Sequence, residues 1–168
     1  MTHTLFTIGH SNQSIGRFVE LLRLYAIEIV CDVRSTPYSR FNPQFNRESL
    51  IAALKAQGIA YLFLGNDLGG KPRDSSYPAD DGARFALMAK RERFRSGMER
   101  LLEESRGRRT VMMCAEKDPE QCHRFLLICP NLPAGVAIHH ILADGSSKDH
   151  AELAEEREAN AAGQPPLF

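Results

Sequence analysis

The amino-acid sequence predicts a single α/β domain with three layers: a mostly parallel five-stranded sheet with helices on both faces, as in Rossmann-like folds. The chain has 168 residues, which is close to the size of one domain. Short β-branched runs alternate with segments of helical periodicity in the order β-α-β-α-β-α-β-α-β, which is typical of a parallel sheet covered on both faces. We expect residues 1–150 to form this domain and residues 151–168 to form a polar C-terminal helix and tail.

Short apolar runs predict the strands, at residues 4–8, 27–33, 59–64, 109–114 and 136–142. The run at 27–33 is nearly continuous and rich in β-branched residues, as expected for a strand that is buried on both faces. In the last run, alternation directs the rings of His139 and His140 to opposite faces of the sheet. At most one of them can therefore join a site, and the other is expected to pack under a helix.

Helical spacing predicts the first two helices. In residues 14–26 the apolar side chains recur at the i, i+3, i+4 spacing that puts them on one helix face. Asn46 is the predicted cap of a second helix that runs through Ala56, and Gly58 suits the position that follows its C-terminal cap.

Two further helices are predicted in the second half of the chain. Residues 82–105 have helical periodicity with a break near Ser96-Gly97. Asp118-Pro119, with a glutamine soon after, has the pattern of a capped helix start. The helix that begins there would carry a buried stripe of Cys122, Phe125, Leu126 and Cys129.

Composition narrows the classes of function. Lys plus Arg and Asp plus Glu number 21 each, so the formal net charge is zero and any contact with nucleic acid would use a local patch. No apolar run approaches the roughly 18 residues of a transmembrane helix, and the N-terminus lacks the pattern of a signal peptide. Four cysteines without an export signal indicate reduced thiols, so we expect a cytoplasmic protein with no membrane contact. No phosphate-loop or dinucleotide motif is present, and we expect no cofactor.

Polar side chains follow the predicted strands at the points where the strands end. Because the carboxyl ends of parallel strands meet at one edge of a sheet, we expect these side chains to share a site there. The candidate substrate-binding residues are Ser11, Asn12, Asp32, Arg34, Ser39, Arg40, Arg73 and Arg124. The candidate catalytic residues are His10, Cys114, Glu116 and His123.

These residue types suit the binding and the chemistry of an anion. The guanidinium groups of Arg34, Arg40 and Arg124 would hold a phosphate or a carboxylate. The histidines and the glutamate of the catalytic set would move protons, and Cys114 is the candidate nucleophile if the chemistry is covalent. The leading hypothesis is a small enzyme that binds a phosphate-bearing small molecule or a nucleotide.

Several of these residues also have a purely structural interpretation. Cys114 could be a buried inert thiol, and Cys122 a small packing residue. Arg124 could be a surface side chain paired with Glu116 or Glu120. A metal-binding module is a weaker alternative, since the spacing differs from the C-x2-C pattern of structural zinc sites. Its ligands would come from His10, Cys114, Cys122 and His123.

Four strings of the sequence occur together and in a characteristic order. They are Thr7-Ile8-Gly9-His10-Ser11-Asn12, Asp32-Val33-Arg34-Ser35-x-Pro37-x-Ser39-Arg40, Leu68-Gly69-Gly70 and Cys114-Ala115-Glu116-x-x-Pro119-x-x-Cys122-His123-Arg124. With them the chain resembles domain-of-unknown-function family 488 over roughly residues 5–145. The resemblance implies that these polar residues form the family's common site, and it implies no particular activity.

The C-terminal residues carry a separate signal. Gln164, followed by two spacer residues and then Leu167 and Phe168, resembles the short peptide with which bacterial DNA-repair and replication proteins bind the DNA sliding clamp. The two apolar side chains would fill a pocket and the glutamine would make the polar contact. The alternative hypothesis is therefore a non-catalytic accessory domain in DNA metabolism, tethered to the clamp and contacting nucleic acid through its basic site. A frayed tail, or one folded back on its own domain, would explain the same residues.

Overall fold

The computed structural model describes residues 3–74 and 76–163, and six strands within these residues form one sheet. The strands are β1 (His3–Gly9), β2 (Ile29–Asp32), β3 (Ala60–Phe63), β4 (Thr110–Cys114), β5 (Val136–Ile141) and β6 (Ser147–Asp149). Their order is β3-β2-β4-β1-β5-β6; β1 to β5 are parallel, and β6 pairs antiparallel with β5. The predicted mostly parallel α/β sheet is confirmed. The sequence patterns miss β6 because it is short and largely exposed, so it has no apolar run.

Helices separate the strands along the chain. They are α1 (Ile15–Leu24), α2 (Arg47–Ala56), α3 (Gly65–Leu68), α4 (Asp81–Met88), α5 (Glu92–Gly107) and α6 (His150–Ala162). Turns of 3₁₀ helix span Pro43–Phe45, Pro119–Gln121 and Cys129–Asn131, and a π-helical turn spans Arg124–Ile128. In the described residues, no helix combines the length and the apolar composition that crossing a membrane requires.

Apolar layers cover both faces of the sheet. α1 and α2 pack on one face, where the buried side chains include Phe18, Leu21, Leu50 and Leu54. α5 and the segment after β4 pack on the other face, where they include Phe94, Met98, Leu101 and Ile128. Every residue of the neighbouring strands β2 and β4 is buried, as expected for central strands of a parallel sheet.

The order in which strands are added to the sheet reverses at its centre, although β1 to β5 all run in the same direction. β1 connects through α1 to β2 on one side, whereas β4 connects to β5 on the other side. Because β1 and β4 are hydrogen-bonded neighbours, their carboxyl ends flank the point at which the two connections separate. Open α/β sheets bind their ligands at such a position.

The second helix differs from its prediction in one detail. It spans Arg47–Ala56 with Asn46 as its cap residue, but the Asn46 side chain does not bond to the helix. Its Oδ1 instead accepts a hydrogen bond from the main-chain N–H of Ser39, at 2.7 Å, and so fixes the preceding loop. Gly58 follows the C-terminal cap residue Gln57, as predicted.

The predicted break in the third helix is misplaced. The chain interrupts the helix at residues 89–91, between α4 and α5, and Gly97 lies within α5. At Gly97, side chains of α3 approach the backbone of α5 closely. A Cβ at this position would lie 2.7 Å from Cβ of Asp67 and 2.9 Å from Cδ2 of Leu68. α3 packs against α5 at this point, and a glycine that looks like a helix breaker is in fact a packing residue.

The helix predicted to begin at Asp118 is also wrong as a continuous element. Asp118 does cap a turn, since its side chain accepts from the N–H of Glu120, but the turn ends after Gln121. Cys122 is extended, and the π-helical turn begins only at Arg124. The predicted stripe is therefore not a helical face, because Cys122 precedes the helical turn. Its side chain packs beside the end of β4.

Two glycines of α5, Gly97 and Gly107, allow a matched test of the packing of α3 on α5. We expect Gly97→Ala to lower the free energy of unfolding by about 1 kcal/mol, because overpacking against α3 outweighs the gain in helix propensity. Gly107→Ala is on the same helix, and no atom of the described residues lies within 4 Å of the added Cβ, so this substitution should leave stability unchanged or raise it. Urea unfolding of both variants measures the difference. Equal shifts in the two variants would contradict the close packing of α3 on α5.

Candidate functional site

A cavity of about 300 Å³ opens at the carboxyl ends of β2 and β4. Its lining includes Arg34, Lys71, Arg84, Cys114, Glu116 and His123. Four of these side chains belong to the set predicted from the strand ends, and distant parts of the chain bring them together here. The volume lies at the lower end of the roughly 300–1,000 Å³ usual for ligand pockets, so the cavity suits a small molecule or the reactive end of a larger one.

A buried ion pair organises the end of β2. Arg34 donates two hydrogen bonds to the Asp32 carboxylate, from Nε at 2.9 Å and from Nη2 at 2.7 Å. The carboxylate also accepts from the hydroxyl of Tyr61, at 2.6 Å, and from the main-chain N–H of Arg34. Asp32 is completely buried and Arg34 nearly so. Burial would lower the pKa of Arg34, but its bonds to Asp32 outweigh that effect and raise it.

His10 is joined to this ion pair as a neutral ring. Its Nδ1 donates to the carbonyl of Ser11 at 2.8 Å, which leaves Nε2 to accept from Nη1 of Arg34 at 3.3 Å. The ring stacks on Phe45 with centroids 4.4 Å apart. Burial lowers the pKa of His10, and the positive charge of Arg34 acts in the same direction. Both ring nitrogens are thus used by the protein, which leaves His10 without a free lone pair for a metal or a substrate.

The Cys114 thiol lies between an acid and an imidazole. Its Sγ donates to Oε2 of Glu116 at 3.3 Å and lies 3.6 Å from Nδ1 of His123. Partial burial of the Glu116 carboxylate would raise its pKa, but the hydrogen bond from Cys114 outweighs this and lowers it. Glu116 therefore stays ionised beside the thiol and accepts its hydrogen bond.

The His123 ring is oriented by a backbone carbonyl. Nε2 lies 2.9 Å from the carbonyl oxygen of Val33, and since a carbonyl only accepts, Nε2 carries the proton. The lone pair of Nδ1 then faces the thiols of Cys114 and Cys122, at 3.6 and 3.7 Å. A glycine makes room for the ring, because a Cβ on Gly70 would lie 2.8 Å from two carbons of His123. The ring can act as a base toward Cys114.

The same three side chains could also ligate a metal. The donor atoms of Cys114, Cys122 and His123 all lie within 4.8 Å of one another. The bond from His123 Nε2 to the Val33 carbonyl is the outer-sphere contact that metal-bound histidines usually have. The hydrogen bond with Cys114, together with burial, raises the pKa of the Cys122 thiol, so metal binding would have to displace its proton.

Arg124 contributes charge from behind the site. It is completely buried and does not line the cavity, so the surface ion pair considered from sequence is wrong. Its Nη1 donates to the main-chain carbonyl of Glu116 at 2.9 Å and its Nε to the hydroxyl of Thr7 at 3.2 Å. Among the described residues, its Nη2 has no hydrogen-bond partner. Arg124 therefore holds the turn that carries Glu116, and its positive charge lies close behind the thiols.

Two cations at the cavity were not among the predicted site residues. Lys71 is exposed at the rim and Arg84 is half-buried in the wall. Sequence signals for them are weak: Lys71 follows the Leu68-Gly69-Gly70 string, whereas Arg84 lies on a helix that sequence alone does not direct to the strand ends. Together the lining carries three cations, Arg34, Lys71 and Arg84, against two carboxylates, Asp81 and Glu116.

A second cavity, of about 430 Å³, adjoins the first and shares Ser35 and Lys71 with it. Arg73, one of the predicted substrate-binding residues, lines this second cavity together with Arg91 and Arg93. The carboxylates of Asp67 and Asp74 also lie in its wall. Lys71 therefore stands at the junction of two connected depressions, of which the second is rich in arginine.

The remaining predicted residues lie around the cavity without lining it. Ser11 and Asn12 follow β1, and Ser11 has a positive φ of 50°. The Ser39 hydroxyl accepts main-chain hydrogen bonds within its own loop, and Arg40 in that loop is exposed. Gln164, Leu167 and Phe168 lie outside the described residues.

Comparisons with known proteins identify a family. A family model described as "Domain of unknown function DUF488" matches residues 14–129. Neither the curated proteins nor the solved structures gave a match to the chain. The matched segment contains all of the residues that line the first cavity, from Arg34 to Leu126.

The buried, neutral His10 predicts how stability depends on pH. Its pKa in the folded state is lower than its ordinary value of 6.5, so the unfolded chain binds more protons just below that pH. The contribution of His10 is therefore complete above pH 6.5 and declines as the pH falls through its folded pKa. We expect His10→Gln to lose less stability than the wild type between pH 7 and pH 5. Chemical denaturation of both proteins at several pH values measures the difference. Parallel curves of unfolding free energy against pH would contradict this expectation.

Proposed function

The chain belongs to the family described as domain of unknown function DUF488, and we propose that it is a small thiol-dependent enzyme acting on a phosphate-bearing or nucleotide-like substrate. The observation that carries the proposal is the placement of Cys114 Sγ 3.6 Å from Nδ1 of His123 in a cavity bordered by cations. A nucleophile beside a base that a third group orients is the usual arrangement of cysteine-dependent catalysis.

The roles of the residues follow from their contacts. Cys114 would lose its proton to Nδ1 of His123, and its sulfur would form a bond to an electrophilic atom of the substrate as the bond to the leaving group breaks. The protonated His123 would return the proton to the leaving group. Water would then release the product from sulfur, with the same ring as base.

The cationic groups would bind the anionic part of the substrate. Arg34 and Arg124 are held in place by protein contacts, so they would act through their charge rather than as flexible ligands. Lys71 at the junction of the two cavities would make the direct contact with a phosphate. A nucleotide-like molecule would place its phosphate there and extend into the second cavity, toward Arg73.

A metal-dependent reaction is the second candidate, and the clustering of Cys114, Cys122 and His123 favours it. A zinc ion on these three ligands would leave a fourth position for water or substrate. The two candidates differ in the state of the thiol. A metal-bound Cys114 resists alkylation until a chelator removes the ion, whereas a free nucleophile reacts at once.

Charged and neutral alkylating reagents test the leading proposal. Cys114 lines the cavity and the other cysteines do not, so iodoacetamide and iodoacetate should both modify Cys114 first, as identified by peptide mass spectrometry. The ratio of the iodoacetate rate to the iodoacetamide rate should fall in Lys71→Ala, by up to about fivefold for about 1 kcal/mol of lost charge attraction. Inorganic phosphate and AMP should protect Cys114 in the wild type.

Lys90→Ala provides the matched control, because Lys90 is exposed and lies outside both cavities. It should keep the wild-type ratio and the protection. The proposed anion site would be contradicted if Lys71→Ala left the ratio of the iodoacetate rate to the iodoacetamide rate unchanged and neither phosphate nor AMP protected Cys114. Alkylation of Cys114 only after chelation would support the metal-dependent candidate instead.

The accessory-domain hypothesis makes a separate prediction from the C-terminal peptide. Deletion of residues 164–168 removes Gln164, Leu167 and Phe168, and should abolish the binding of purified bacterial sliding clamp while leaving the alkylation of Cys114 unchanged. Surface plasmon resonance with immobilised clamp measures the first effect. Clamp binding by the truncated chain, or none by the full chain, would exclude the tether.

A further inference from the structure

A second group of metal-ligating side chains lies on β5 and the elements that pack against it. Cys129 begins the turn after the π-helical segment, His140 lies on β5 and His150 is the first residue of α6. Their donor atoms, one sulfur and two ring nitrogens, all lie within 4.8 Å of one another. Within the described residues, none of the three lines the Cys114 cavity.

The two imidazoles of this group face each other directly. Nε2 of His140 lies 3.0 Å from Nδ1 of His150, and the rings are tilted by 53° with their centroids 5.3 Å apart. Phe125 packs against both rings, with centroids 5.7 Å from His140 and 4.6 Å from His150. Cys129 and His140 are buried, while His150 is half-buried and gives the group its access to solvent.

An outer-sphere partner for His140 is already in place. Nδ1 of His140 lies 2.6 Å from the hydroxyl oxygen of Thr7. Nε of Arg124 donates to the same oxygen at 3.2 Å. A hydroxyl oxygen has two lone pairs, so Thr7 can accept from both Arg124 and Nδ1–H of His140. That tautomer leaves Nε2 of His140 with a lone pair directed at the group, as in histidines that bind metals.

We propose that Cys129, His140 and His150 bind one divalent transition-metal ion, with zinc the best match to the donor set. One thiolate and two imidazoles are the ligands that zinc prefers, and three protein ligands leave a fourth position open to water or a small ligand. Binding releases the thiol proton of Cys129, and the proton that lies between the two imidazoles moves from Nδ1 to Nε2 of His150, so that both rings stay neutral. In the simpler interpretation the two neutral imidazoles share a hydrogen bond and Cys129 only packs in the core, and this difference makes the proposal testable.

The experiment is a cobalt titration in the Cys114→Ser/Cys122→Ser background, which removes the sulfur ligands of the first cluster. We expect one equivalent of Co²⁺ to bind and to give a thiolate-to-cobalt charge-transfer band. Cys129→Ser should abolish that band, and His150→Gln should weaken binding at least tenfold. Thr7→Val should weaken it about 10- to 100-fold through the loss of the outer-sphere partner.

Two matched controls isolate the site. Cys31→Ser removes the other remaining thiol, and His139→Gln changes the neighbouring ring, which lies on the opposite face of the sheet beside Phe6. Both should keep the band and the affinity. A second measurement uses the chain without the Cys114→Ser and Cys122→Ser substitutions. In that chain, His150→Gln should lower the amount of bound Co²⁺ by one equivalent. No band in the background variant, or unchanged binding in His150→Gln, would overturn the proposal.

Discussion

The buried pair of Asp32 and Arg34 is the interaction on which the candidate site depends, because it flanks the peptide that orients His123. Val33 lies between the two residues, and its carbonyl accepts from Nε2 of His123. Removing one partner of such a pair costs about 3–5 kcal/mol, since the other is left as an uncompensated buried charge. Tyr61 and His10 satisfy further atoms of the pair, so the end of β2 behaves as one rigid polar unit.

The arginines at the strand ends serve the site mainly by position. Arg34 holds Asp32, and Arg124 holds the carbonyl of Glu116. Arg34 thus brings a fixed positive charge to the lining of the cavity, while the charge of Arg124 lies behind it and acts on the Cys122 thiol. In the proposed function, contact with the substrate would fall to Lys71, which is exposed at the rim and follows Gly70, the residue that packs against His123. The scaffold is thus rigid where the proposed chemistry occurs and adaptable where the anion would bind.

Sequence patterns predict the fold and four of the side chains that line the cavity, because both depend on the strands and on the residues directly after each strand. A parallel sheet forces His10, Arg34 and Cys114 to one edge, and that inference needs no contacts. The patterns fail where tertiary packing decides: Gly97 looks like a break but packs on α3, and the segment after Asp118 is divided into three helical turns, with an extended residue after the first. Tertiary packing of the helices also decides that Arg124 is buried and that Arg84 lies in the wall of the cavity. The periodicity of the sequence does not predict that packing.

The most direct test of this account is the protonation of the His123 ring, read from its ¹⁵N chemical shifts at a mildly alkaline pH and assigned with His123→Gln. Orientation by the Val33 carbonyl predicts a protonated Nε2, with Nδ1 directed at the sulfur atoms. An unprotonated Nε2, or shifts averaged between the two tautomers, would mean that the ion pair does not position the ring and that Cys114 lacks its base.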